Sequence, residues 1–238
     1  MKKEETLIID GLPVLVTWKK NMKHMYLRIY PPDGQVRVNC AKAFTREEIT
    51  AFVRANLSNI KKKQADMLKA ANLIDTSYET GSTYRIWGIP YPLEVVFNNS
   101  SRRVFLEDSK LYMYISEDAS VDQREALLEA FYRTELQNAI RERTPLLEDL
   151  MGIRAETYRI RKMTSRWGSC NTREKRIWLN LYLAKKSPEC LDYVICHELT
   201  HLLVPGHGHD KIFYKTLEEH YPHWRQTRAI LNAHPLKY

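Results

Sequence analysis

The sequence predicts an α+β protein: a strand-rich N-terminal half with one long helix, then a helical C-terminal core with a small antiparallel sheet. Three observations predict it. Short apolar segments separated by turn residues fill residues 1–118, while from Ser120 onward the apolar spacing becomes three and four. One strongly alternating segment, residues 176–183, then returns inside the helical half. The change of pattern divides the chain into a strand-rich domain, 1–118, and a second domain, 119–238.

The elements follow in order. Segments 7–10, 14–18 and 26–30 read as strands, Pro31-Pro32-Asp33-Gly34 as a turn, and 35–39 as a further strand. Thr45 with Glu48 three residues on forms a capping box. It opens a helix reaching about Ala71, with Ile49, Phe52, Val53, Leu57 and Ile60 on one face. Strands return at 83–87, 91–97, 104–107 and 111–115, separated by turns at Asn98-Asn99-Ser100 and Asp108-Ser109. A long helix runs from Ser120 to about Leu150 and ends near Gly152. A basic strand, 158–162, precedes the alternating segment, which turns Ile177, Leu179, Leu181 and Leu183 one way and Arg176, Trp178, Asn180 and Tyr182 the other. Ser187-Pro188 supplies an N-cap and a first-turn proline for the next helix.

Bulk properties exclude several classes. No run approaches the roughly 18 apolar residues of a membrane helix. The start, Met1-Lys2-Lys3-Glu4-Glu5, lacks the apolar core of a signal peptide, which argues against export. Cys40, Cys170, Cys190 and Cys196 contain no C-x-x-C pair and fit reduced thiols, hence a cytoplasmic protein. The net charge of +8 is spread, with 18 basic and 14 acidic residues in 1–118 and 19 and 15 in 119–238. Nucleic acid is therefore possible as a partner but not favoured.

Seven of the eight histidines lie between His197 and the C-terminus. Within this region stands His197-Glu198-Leu199-Thr200-His201. On a helix, residues four apart share a face, so both imidazoles can reach one zinc ion. Glu198, beside the first ligand, can serve as base for a metal-activated water. A coincidental pattern is the rival reading, but Leu191, Ile195, Leu199 and Leu202 give the helix an apolar side to anchor it. A catalytic zinc needs a third protein ligand, and His207 and His209 both stand in the following loop. His220, His223 and His234 read as surface or packing residues.

Several blocks carry a resemblance. Arg166-Trp167-Gly168-Ser169-Cys170, the strand ending in Leu179-Asn180, the run Tyr193-Val194-Ile195-Cys196-His197-Glu198-Leu199-Thr200-His201-Leu202, and Pro222-His223-Trp224-Arg225 resemble the YgjP-like metallopeptidase family. That family is similar in its core to SprT-like and WLM-domain proteases. The match covers nearly the whole chain, including Pro32-Asp33-Gly34, the Thr45 helix and Gly88–Pro92 in the less specific first half. The resemblance implies a zincin-like core, two metal-binding histidines on one helix, a third at the start of the next, and peptide-bond hydrolysis. By position, His197 and His201 would be ligands and Glu198 the base. Relatives place the third histidine ten residues after the first, which is His207, but also four residues before a phenylalanine, which is His209 before Phe213. Insertions collect in loops while packing fixes helix phase, so His209 is the expected ligand.

The expected function is therefore a zinc metallopeptidase of the HExxH type, acting on peptides or unfolded proteins. Arg166, Trp178 and Asn180 are candidate substrate-binding residues, on the view that the alternating strand is an edge beside the cleft. Arg166–Cys170 also admits a structural reading, with Trp167 filling core, Gly168 permitting a close approach and Arg166 pairing with a carboxylate. One alternative is a metal-dependent nucleotide phosphohydrolase using Arg166 and the basic strand to hold phosphate. Another is a nucleic-acid-binding protein with a structural zinc, which would want four protein ligands and leave Glu198 without a role.

Overall fold

The structure, a computed structural model, describes residues 3–20, 22–30, 34–72 and 77–233. It is a mixed α+β protein whose chain divides into two compact units, Met1–Ile74 and Asp75–Tyr238. The expected turn at Pro31-Pro32-Asp33 and the residue His234 lie outside the described residues.

In the first unit, β1 (Lys3–Ile9), β2 (Leu12–Lys19), β3 (Tyr26–Tyr30) and β4 (Gln35–Ala41) form a sheet of order β1-β2-β4-β3. Alternation buries Val14, Val16, Val36 and Val38 on one face, where they meet Ile49, Val53 and Ile60. The capping box is present: Thr45 accepts from the Glu48 amide, and Glu48 accepts from the Thr45 amide. The helix it opens is not continuous. It breaks at Asn56 into α1 (Arg46–Ala55) and α2 (Leu57–Asn72), where the Asn56 side chain donates to the Phe52 carbonyl at 2.8 Å. An asparagine that bonds the backbone of its own turn competes with helix propagation.

The second unit begins with β5 (Thr83–Ile86), β6 (Ile89–Phe97), β7 (Arg103–Glu107) and β8 (Lys110–Ile115), in the order β5-β6-β8-β7. Ser120 caps α3 (Val121–Met151), accepting from the Gln123 amide. Residues 75–118 thus fall in the second unit, and the division lies near Ile74 instead of near residue 118. The reason is burial. Leu93, Leu111 and Met113 share one apolar cluster with Leu136 of α3 and with residues further along the chain, such as Leu179 and Leu191. Alternation identifies a strand but does not name the core that receives its apolar face.

A three-stranded sheet follows: β9 (Thr157–Arg161), β10 (Gly168–Asn171) and β11 (Arg176–Asn180), in the order β10-β11-β9. It is mixed, because β11 pairs antiparallel with β10 and parallel with β9. This corrects the expected edge: β11 is the central strand and β10 lies outside it. The alternation also stops sooner than expected. Asn180 accepts from the Tyr182 amide at 3.2 Å and turns the chain into a 3₁₀ helix, Leu181–Lys185. Asn180 and Tyr182, expected on a polar face, are buried. Three helices complete the unit: α4 (Pro188–Leu203), α5 (Lys211–His220) and α6 (Trp224–Asn232). No described helix is long and apolar enough to cross a membrane.

Candidate metal centre

Pro188 sits at the start of α4, where its missing amide proton costs nothing. Leu191, Ile195 and Leu199 are fully buried and fix the rotation of the helix. His197 and His201, one turn apart, therefore share a face, with ring centroids 5.2 Å apart. The helix ends at Val204, and Gly206 adopts φ +84°, a left-handed conformation that lets the chain reverse. Asp210 then caps α5: one carboxylate oxygen accepts from the Phe213 amide at 3.0 Å and the other pairs with His207 Nδ1 at 2.7 Å.

This capping separates the roles of the two loop histidines. His207 is tied to Asp210. His209 turns toward α4, with its Nε2 2.9 Å from His197 Nε2. Phe213, fully buried, packs against all three rings, with centroids 4.9 Å from His197, 4.6 Å from His201 and 4.9 Å from His209. Among the described residues, His197, His201 and His209 form the one group whose possible ligand atoms lie within 4.8 Å of one another and could hold a metal ion. Neither His207 nor Cys196 joins it.

The electrostatics favour that use. Burial, then the neighbouring charges of His201, His209 and Arg228, push His197 down to about 3, so its imidazole is neutral. His201 is also lowered, by burial and then by His209. Neutral imidazole nitrogens crowded together repel through their lone pairs unless a proton or cation sits among them. A nitrogen donor set of this kind fits zinc. The Nδ1 of His197 is buried without a protein hydrogen-bond partner.

Glu198 is 4% exposed, and burial pushes its carboxyl up to about 8, with Arg166 pulling it back. A cation on the three imidazoles would draw it further toward the carboxylate form. The space it occupies depends on Gly168. A Cβ there would stand 2.5 Å from Glu198 Oε1 and 2.9 Å from Val194 Cγ1. The close approach expected of Gly168 is thus an approach to the candidate base itself.

A cleft of about 500 Å³ opens over the three histidines and Glu198. Arg166 and the outer strand β10 line it, but Trp178 and Asn180 do not. Trp178 lies between Arg159 and Arg176, whose guanidinium carbons are 5.8 and 5.9 Å from its ring centroid. Asn180 is fully buried and donates to the Met163 and Arg166 carbonyls, so it holds the loop that carries Arg166. A strand with neighbours on both sides offers no free edge to a substrate. Arg166 makes no ion pair with any described residue. Trp167 is half-buried against the core and donates to Asn232 at 3.3 Å. Cys170 lines the cleft, but burial and then Glu198 push its thiol up to about 12, which leaves it a poor nucleophile.

Among the lining residues that the sequence reading did not assign to the site are Tyr193, Arg228 and Asn232. Tyr193 lies one turn before His197, with ring centroids 5.9 Å apart, and helical spacing could have found it. Arg228 and Asn232 belong to α6, which only tertiary packing returns to the cleft.

A family described as "YgjP-like, metallopeptidase domain" matches residues 23–234. Among solved structures, the chain is similar to the metallopeptidase zymogen abylysin of Pyrococcus abyssi, at 18% identity and TM-score 0.35, over 40% of this chain and 97% of that one. It is also similar to the metallopeptidase zymogen jannalysin of Methanocaldococcus jannaschii, at 20% identity and TM-score 0.35, over 39% of this chain and 87% of that one. No curated protein matches the sequence.

Proposed function

The chain belongs to the YgjP-like metallopeptidase-domain family, and from that premise we propose that it is a zinc-dependent, HExxH-type peptidase acting on peptides or unfolded proteins. One observation carries the proposal: three imidazoles converge beside a buried carboxylate at an open cleft. His197, His201 and His209 would hold the ion. Zinc, when bound, supplies Lewis acidity to a carbonyl and to water. Glu198 is the base: a carboxylate oxygen takes a proton from the attacking water and delivers it to the leaving nitrogen. Arg166 favours the charged form of that carboxylate against the larger, opposite effect of its burial. The outer edge of β10 pairs with no strand among the described residues, and an extended substrate can hydrogen-bond along it. All four cysteines are free, which supports a reducing cytoplasmic setting.

The phosphohydrolase alternative has fewer free cations than its basic segment suggests, because Lys162 is engaged by Glu125 at 3.0 Å and Glu129 at 2.6 Å and Arg159 lies against the Trp178 ring. The deciding experiment is metal analysis joined to turnover. The purified protein is expected to carry about one zinc per chain and to cut casein slowly, with loss on chelation. Nucleoside triphosphates are expected to remain intact. Glu198-dependent triphosphate turnover far exceeding any peptide cleavage would replace the proposal with its rival.

A further inference from the structure

The cleft has a charge that hydrolysis of a neutral peptide leaves unused. Arg166, in the loop before β10, and Arg228, on α6, both line it. Both residues are exposed, and neither pairs with a carboxylate of any described residue. Other arginines of the same unit do find one: Arg143 with Asp192, Arg154 with Asp149, Arg176 with Glu174 and Arg225 with Glu218.

Arg228 is held at its guanidinium and Arg166 at its main chain. The Arg228 guanidinium donates to the Tyr214 hydroxyl at 3.3 Å and lies 6.0 Å from the Trp224 ring centroid. The main chain of Arg166 is fixed by the buried Asn180 amide at 2.8 Å. Their fields reach the reacting region from two elements, Arg166 acting on Glu198 and Arg228 on His197 and Tyr193. Among the described residues, Glu198 is the only acidic one lining the cleft, and it is buried. The described wall therefore offers two guanidiniums and no exposed anion.

A guanidinium lining a cleft is a strong partner for a carboxylate, which accepts its parallel N–H groups in two-pronged fashion. Building on the peptidase reading, we propose that this cleft selects peptides bearing a carboxylate beside the scissile bond, held by Arg166 and Arg228. The carboxylate comes from an Asp or Glu side chain or from the substrate's own C-terminus, since both present the same planar acceptor.

The test uses the metal-loaded full chain with the Glu198→Gln substitution, so that binding is read without turnover. Four fluorescent peptides of one sequence differ only in Glu or Gln near the centre and in a free or amidated C-terminus. At least one acidic form is expected to bind about tenfold more tightly than the neutral amide, with the advantage falling as salt rises. Which form wins identifies the source of the carboxylate. Adding Arg166→Gln and Arg228→Gln should reduce the preference to about twofold at unchanged metal content, while the Lys pair should retain part of it. Equal binding of all four peptides would overturn the proposal. So would a preference that survives loss of both arginines, or displacement of the acidic peptide by a single-stranded oligonucleotide at lower concentration. If the Gln pair unfolds, each single Gln variant must weaken the preference, and failure to do so also overturns it. Parallel incubation of the unsubstituted protein separates the two readings. Equal cutting of neutral and acidic peptides rejects the carboxylate preference and keeps the peptidase. Charge-selective binding with no cutting rejects the peptidase.

Discussion

At position 168 the room for one methyl group decides where the Glu198 carboxyl can sit. Gly168→Ala should push that carboxyl aside without touching any imidazole. Metal content should therefore hold while peptide cleavage falls by about a hundredfold, the scale of an ångström-sized misplacement. Glu198→Gln should behave likewise, since a base is removed and not a ligand. Loss of metal in the glutamine variant, read by atomic absorption, would refute that division of labour. The histidines give the sharper comparison. His209 Nε2 stands 2.9 Å from His197 Nε2, whereas His207 is engaged by Asp210. His209→Ala is expected to strip metal and activity, and His207→Ala to keep both within about threefold, because one ligand of three cannot be spared from a catalytic site. The reverse pattern would show that loop distance outranks helix register.

The same register makes the start of α5 a device of its own. Asp210 accepts from the Phe213 amide and pairs with His207, so one carboxylate both caps the helix and draws His207 aside. Replacing it with alanine removes a cap worth about 1 kcal/mol, or roughly 2–4 °C in melting temperature for a unit of this size. The loss should also loosen metal binding by freeing the turn that carries His209, which a zinc-chelator competition would detect. Strand β11 ends in a comparable device. Asn180 is fully buried and bonds two carbonyls of the loop that bears Arg166. Asn180→Leu should cost about 3 kcal/mol, as two acceptors lose their donor. Chemical denaturation should report it, and a neutral result would mean that water replaces the amide.

Across the whole molecule, two apolar clusters share no member. One gathers around Val14, Val36 and Ile49, the other around Leu111, Leu136, Ile177 and Leu199. Every residue assigned to the site belongs to the second unit, Asp75–Tyr238. A fragment of those residues should fold cooperatively and bind about one metal ion, because a domain with its own core can fold alone. Calorimetry and metal analysis of the fragment check this. A fragment that stays unfolded would show that the first unit supplies stability its own apolar cluster does not account for.

Much of this was written locally in the sequence. Thr45 opened a helix where a capping box stood, and His197, Glu198 and His201 required only a 3.6-residue repeat to share a helix. The phase of Phe213 pointed to His209, since four residues on one helix face is again local geometry. What lay beyond reach depended on partners distant along the chain. Alternation could not reveal that β11 is flanked on both sides, that Asn180 is buried, or that strands β5–β8 serve the second core. Nor could it bring Arg228 to the same cleft as Arg166, some sixty residues earlier. The sequence by itself determined most of the elements and which side chains share a face of one helix, because capping and periodicity act over a few residues. Only the tertiary structure decided which edge is open, which polar groups are buried and which charges converge, because burial belongs to surfaces that meet after the chain has folded.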